Sequence, residues 1–304
     1  MATENPIVTA ITGYIDESRE NLLAKTILGA KTPSMLRLMG GVKGKTALNL
    51  LNSDVVLQDA SSCGWNPTTS NEISRKFVEP VYLGVQAEFC EKNFLDTFAA
   101  YKLRIAAGQK TLPFEEDFMA DIVDHINDQV EKMVWQGDSS NTGATEFDGL
   151  LKIAEDESAT TVDFASGSSA WAAIKEVYLN VPEEAMKDDL VIFVGAGLFR
   201  KFIQELVAEN LYHYNPSDEP MEYRLPGTNT RVVAVNGLNN TEGYDYIFAA
   251  RLSNLIYATD MLGDKEVVDF WYSKDDQVFK LNIEFMAGTQ IVFPDEVVVG
   301  KIAK

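Results

Sequence analysis

The residues that look most like chemistry are Gly40-Gly41-Val42-Lys43-Gly44-Lys45-Thr46. Glycines followed by Lys-Thr resemble a loop whose successive backbone N–H groups wrap nucleotide phosphates. Val55-Val56-Leu57-Gln58-Asp59 could then pose as a metal-holding strand. The spacing argues against it. Such a loop needs four residues between its glycines, whereas Gly40 and Gly44 enclose three, and position 39 is Met. Leu48-Asn49-Leu50-Leu51-Asn52 breaks too early to aim a helix dipole at a phosphate. The stretch reads as a Gly/Lys-rich solvent turn at the base of a hairpin. A nucleotide-dependent enzyme using residues 40–46 is the rival from another function class.

The other reactive residue types are scattered. Gly195-Ala196-Gly197 follows the apolar run 190–194 and opens a helix, the right place for a dinucleotide loop, but position 200 is Arg where the third glycine belongs. A tight strand-to-helix turn is the simpler reading. His125 falls within a helical pattern and His213 in a polar loop, with no matching Cys, His or Asp cluster for zinc or for a catalytic base. Ser166, Ser168 and Ser169 lie in a Gly-Ser turn without a nucleophile elbow. Glu115, Glu116 and Asp117 could bind a cation, but they suit the positive end of a helix dipole better. Cys63 and Cys90 read as free thiols in a reducing compartment. We therefore expect no catalytic, cofactor-binding or metal-binding residues and no enzymatic activity.

Composition narrows the classes further. The 304 residues carry 26 Lys plus Arg against 46 Asp plus Glu, a formal net charge of −20. Such a surface repels phosphates and argues against a sequence-reading nucleic-acid module, while leaving open a container whose wall lets a polyanion slide. The first residues lack a signal peptide's basic start and apolar run, and no stretch approaches a membrane span.

What remains is architecture. A long amphipathic helix is expected over about 113–134, with Phe114, Phe118, Ile122, Ile126, Val130 and Met133 on one face. Asp121, Asp124, Asp128 and Glu131 fall between them and are expected to face water. Some 22 residues at ~1.5 Å each make a rod of roughly 33 Å. Gly137 stops it, and a loop closes on Phe147-Asp148-Gly149-Leu150-Leu151. Residues 14–28 read as a short amphipathic helix ended by Gly29. The β-leaning runs 55–57, 77–78 and 81–85 flank a polar stretch over 59–74, which describes a long hairpin with a wet tip and little core of its own. A short helical segment is expected at 93–107. After 150 come a helix near 170–179, a strand 190–194, a helix 198–211 and strands at 223–225 and 231–235, an α/β pattern. The runs 267–272, 278–285, 291–293 and 297–299 read as strands.

In this order the elements resemble one family over nearly the whole chain, the tailed-phage major capsid proteins of the lambdoid-type shell fold. Gly41-Val42-Lys43-Gly44 and Leu50-Leu51 look like the start of that family's E-loop. Gln58-Asp59 and Cys63-Gly64-Trp65-Asn66-Pro67 look like its arm. Trp135-Gln136-Gly137-Asp138 with Gly149-Leu150-Leu151 resembles the exit from its spine helix. Ala287-Gly288-Thr289-Gln290-Ile291 and Phe293-Pro294-Asp295-Glu296-Val297-Val298 resemble its C-terminal strands. The wording of these motifs is similar to capsid proteins of crAss-like phages of gut bacteria.

The resemblance implies an α+β fold with an N-arm (1–34), an extended E-loop hairpin (35–92) and a peripheral domain with the spine helix (93–143). An axial α/β domain (144–263) and C-terminal strands returning to the peripheral domain (264–304) complete it. An E-loop beginning by residue 35 leaves no room for the cleavable N-terminal scaffolding segment of some members, so a mature product or a separate scaffold is expected. It further implies a structural subunit that self-assembles, as hexamers and pentamers, into an icosahedral virion shell around double-stranded DNA held without sequence specificity. Assembly would occur in the bacterial host cytoplasm, with portal, scaffold and decoration proteins as partners and no membrane. A bacterial nanocompartment (encapsulin-like) shell shares the fold and is the nearest alternative.

Overall fold

The computed structural model describes residues 28–54, 70–90, 114–140, 146–186, 189–211, 220–260 and 267–304, with positions 11, 13–15, 22, 25 and 26. The segment expected to be helical at 93–107, the run 55–57, Cys63 and His213 lie outside the described residues.

Two sheets organise the chain. The first has five strands: β1 (Arg37–Gly40), β10 (Leu255–Thr259), β12 (Val278–Ile291) and β11 (Val267–Ser273) in that order, with β4 (Val81–Cys90) on the other side of β12. β12 runs for 14 residues and carries the whole sheet. Its first half alternates buried Phe279, Leu281 and Ile283 with half-buried Lys280, Asn282 and Glu284, the pattern of a sheet with one covered face. From Phe285 to Thr289 every residue is buried, because the chain crosses both faces there. A Cβ on Gly288 would come within 2.8 Å of the Pro80 backbone.

α2 (Phe114–Gln136), 23 residues and about 35 Å long, lies against this sheet. Met119, Val123, Ile126, Val130, Val134 and Trp135 are its buried residues. The expected stripe is therefore displaced. Phe118, Ile122 and Met133 sit at its margin, half-buried and packed on the core. Asp121, Asp124 and Asp128 are exposed as expected, but Glu131 is 3% exposed. A carboxylate enters this core because Thr32, in the short helix α1 (Lys31–Met35), supplies its donors.

The second sheet has six strands. Its order is β5 (Thr160–Phe164), β13 (Val298–Ala303), β9 (Tyr244–Arg251), β6 (Leu190–Gly195), β8 (Arg231–Val235) and β7 (Glu222–Arg224). The pairs β5–β13 and β6–β8 are parallel, the others antiparallel. Both faces are covered. Ile192 and Val194 face α4 (Ala170–Leu179) and α5 (Ala196–Ala208), where Ile174, Val177, Phe202 and Leu206 are buried. Val191 and Phe193, on the alternate face, join the core of α2 and the first sheet. α3 (Leu150–Asp156) completes that layer.

The third unit is a hairpin of two strands, β2 (Thr46–Asp54) and β3 (Ser70–Val78), paired antiparallel from Thr46↔Val78 to Asp54↔Ser70. The run 81–85 is not its return strand. Pro80 cannot donate to a ladder and breaks the chain after β3, and β4 pairs with β12 from Val81↔Ala287 to Cys90↔Val278. The five-stranded sheet also takes β10 from the stretch read as axial, and the six-stranded sheet takes β13 from the stretch read as returning to the peripheral domain.

Candidate assembly surfaces

Among the described residues, those that could have been chemical are not brought together. Gly40 ends β1, and Gly41 turns the chain with φ +76°. Val42 is buried on Val78 and Ala258. Thr46 begins a strand rather than a helix, and its hydroxyl donates to the Gly44 carbonyl at 3.0 Å. Lys45 ion-pairs with Glu79 at 3.3 Å and lies over the Phe77 ring, 5.3 Å from its centroid. This is a turn at the hairpin root, with its lysine occupied locally.

At residues 195–197 the helix start is filled from within the chain. Asn239 Oδ1 accepts from the Ala196 N–H at 2.7 Å, and a Cβ on Gly195 would meet the Leu238 carbonyl at 2.7 Å. Ser169 caps α4, accepting from the Ala172 N–H, and its hydroxyl donates to Glu205 at 2.7 Å. His125 is exposed on α2. Hydrogen bonding to the Asp121 carbonyl, with the charges of Asp121, Asp128 and Asp124, pushes its pKa up. Cys90 is an exposed free thiol at the end of β4. Among the described residues no cluster of metal-ligating side chains occurs, and no helix is long and apolar enough to cross a membrane.

The geometry is dense instead at the exit of α2. Trp135 is fully buried between the two sheets, its ring 5.1 Å from Phe193 and 5.2 Å from Phe248. Its indole N–H donates to the Thr32 hydroxyl at 2.8 Å. Gly137 and Gly149 let two chain segments touch backbone to backbone. The Gly149 N–H donates to the Gly137 carbonyl at 2.9 Å, a Cβ on Gly137 would stand 2.3 Å from the Phe147 carbonyl, and one on Gly149 2.7 Å from Trp135. Gly237 admits the same indole, 2.2 Å from where its Cβ would be. Lys152 clasps the loop from below, paired with Asp138 and, at 3.5 Å, with Asp148. That contact and the Ser140 donors hold the Asp138 carboxyl down at about 2.

Among the described residues, two surfaces stand out. One is the hairpin. Its root is tied to the body where Gln290 donates to the Phe77 carbonyl at 2.9 Å and Lys76 reaches Glu157 and the Ile291 carbonyl. Phe77 is nevertheless 47% exposed. The other is a groove of about 650 Å³ between α2 and β4, floored by Ile122, Ile126, Met133 and Val85, with Asp121 and Tyr82 on its rim.

No family model matches the sequence, and no curated protein matches it either. The fold does match solved structures over almost its whole length. A chain of the satellite phage P4 procapsid, solved with its size determination protein, superposes with a TM-score of 0.64 at 11% identity, covering 99% of this chain and 98% of that one. A Gordonia phage Cozz chain gives 0.58 at 15% identity over 90% and 86%. The holo-SrpI encapsulin complex from Synechococcus elongatus gives 0.54 at 11% identity over 88% and 85%. The chain has the tailed-phage capsid shell fold.

Proposed function

We propose that this chain is a major capsid protein, a structural subunit that self-assembles through hexamers and pentamers into the icosahedral shell enclosing double-stranded phage DNA. The observation that carries the reading is the end-to-end match to a procapsid chain, covering 99% of this chain and 98% of that one. The hairpin supports it. Two strands whose ladder is formed only with each other are marginal in water and gain a buried face when laid on another subunit, the kind of heterologous contact that closes into rings.

In this reading residues 1–34 are the N-arm and 35–92 the E-loop region, whose free part is the hairpin of β2 and β3. Residues 93–143 carry the spine helix, 144–263 the axial domain and 264–304 the returning strands. The role is structural rather than catalytic. Portal, scaffold and decoration proteins are the expected partners, the virion the destination and the host cytoplasm the place of assembly. The acidic surface suits a wall that holds DNA without reading it, since a net charge of −20 gives phosphates little to grip.

Negative-stain microscopy of the purified protein, alone and with its scaffold, tests the proposal: capsomers, tubes or closed shells are expected, and a monodisperse monomer under every condition refutes it. The encapsulin match favours a second reading, a bacterial nanocompartment shell. Particles that protect protein cargo and no nuclease-resistant DNA would select it.

A further inference from the structure

The hairpin of β2 and β3 enters and leaves the body on different terms. Its entry runs through Gly40, Gly41 and Gly44, and a Cβ on any of the three would meet nothing within 4 Å. Only Gly41, with φ +76°, needs glycine for its backbone. Packing at these glycines therefore does not hold the entry. The exit is held, since Pro80 lies against Gly288 and β4 pairs with β12 from Val81↔Ala287 onward.

Between the two lies a small cluster, Val42, Val78 and Ala258, with Met39 and Leu48 packed on it. β2 has nine residues. At this length it is a lever of about 30 Å, so a turn of about 10° at the root carries the tip by roughly 5 Å. Apolar burial is non-directional, and so small a cluster excludes water without setting the hairpin's direction to that degree. A charged hydrogen bond has the geometry to set it.

Lys76 makes such a bond. It stands opposite Leu48, on the half-buried face of the hairpin. Its Nζ donates to the Ile291 carbonyl at 3.1 Å and to the Glu157 carboxylate. The Lys76 and Glu157 side chains are 21% and 28% exposed, against 58% and 65% for the Lys45–Glu79 pair, so water screens the first pair less. Glu157 is itself anchored. Its N–H donates to the Ile153 carbonyl at 3.0 Å, and Ser158, with φ +58°, turns the chain so that the Ala159 N–H reaches the Ala154 carbonyl at 2.9 Å. β3 is thus pinned to two points of the body, the end of α3 and the end of β12. Gln290 adds a backbone tie at the Phe77 carbonyl, one residue nearer the root. A single point fixes where the hairpin starts, and the two points reached by Lys76 fix where it points.

We propose that Lys76 is the positioning residue of the hairpin, the contact that sets the angle at which β2 and β3 leave the body. In the shell reading that angle decides where the limb lands on a neighbour, and the proposal rests on that reading for its purpose alone.

Pulsed electron-spin distance measurements between two nitroxide labels in one subunit test it. The labels sit at Asn49→Cys on the hairpin and Asp163→Cys on β5, both exposed positions, with Cys63→Ser and Cys90→Ser removing the native thiols. Labelled protein is diluted into unlabelled protein, so that only distances within one chain are read. The parent should give one narrow distance distribution. Lys76→Met keeps the stem and removes the donor, and should widen the distribution roughly twofold while the urea midpoint stays in place. Lys45→Ala should leave it narrow. A broad distribution in the parent, a Lys76→Met distribution as narrow as the parent's, or equal widening by Lys45→Ala overturns the proposal. Glu157→Ala, which leaves Lys76 one of its two points, decides in the same way if Lys76→Met does not fold. Because the distances lie inside one subunit, a chain that never assembles would refute the shell reading and leave this result standing.

Discussion

The exit of α2 and the β2–β3 hairpin obey opposite rules. At the exit every position is specified several times over: Trp135 by two aromatic neighbours and a hydrogen bond, Gly137 and Gly149 by backbone contact, Asp138 by Lys152 and Ser140. In the hairpin the ladder is regular, Leu48 and Leu50 are only half-buried, and among the described residues the ties to the body lie near the root, at Leu48, Lys76 and Phe77. One region draws its stability from its own chain. The other, among its described residues, has its ladder and few further contacts, which fits a limb whose order is completed from outside.

That contrast breaks most sharply at α2. Ile126→Asp places an unpaired charge 5% exposed in the core and should cost more than about 4 kcal/mol, enough to abolish cooperative urea unfolding. Asp124→Asn, two residues earlier on the opposite, exposed face, should shift the midpoint hardly at all. Similar midpoints for the two variants would mean that the helix faces are misread. Gly149→Ala comes next: its methyl would stand 2.7 Å from backbone atoms of Trp135, and about 3 kcal/mol of destabilisation is expected in the same assay.

The hairpin should give the opposite profile. Deleting residues 61–72 is expected to leave subunit stability within about 0.5 kcal/mol, because the pairs near Thr46 and Val78 survive, while particle formation is lost. Hydrogen exchange sharpens this without mutation: amides of β2 and β3 should exchange fast in free subunits and become protected in particles. Full protection in the free subunit would show that the hairpin packs on its own chain. The smallest effects belong to exposed charges. Lys45→Ala should leave both stability and assembly nearly unchanged, and nucleotide binding that disappears in this variant would revive the enzyme reading.

Asp138, held at about 2 against an ordinary 3.8, adds stability above pH 4 that is lost as pH falls through that window. Asp138→Asn should therefore flatten the acid limb of a pH–stability curve there.

The long helix was legible because Ile126 and Val130 repeat at helical spacing, and its stop because Gly137 follows Trp135-Gln136 at the end of the run. Glu131 was not legible. Its burial depends on Thr32, 99 positions away, and nothing local marks a glutamate as the partner of a distant threonine. The pairing of β4 with β12 was hidden for a similar reason: two runs that follow one another look like one hairpin, and only the Pro80 break says otherwise. Tyr244–Arg251 and Leu255–Thr259 lack the alternation that marks a strand because they are buried on both faces, and Thr160–Phe164 lacks an apolar run because it is a largely exposed edge strand. At 40–46 the three-residue glycine spacing and the early break over 48–52 pointed to a turn at the base of a hairpin, and Thr46 there begins a strand rather than a helix.

The route from hairpin to body has a mechanical reading. β3 passes through Glu79 and Pro80 directly into β4, whose ten pairs with β12 begin at Val81↔Ala287. A neighbour tugging the hairpin along the strand direction would load this ladder in shear, so its bonds resist together instead of unzipping one at a time. The side-chain ties of Gln290 and Lys76 bring the same load onto the end of β12 next to that junction. Tension gathered at the periphery is thereby delivered to the longest strand of the molecule, the part best able to bear it without yielding.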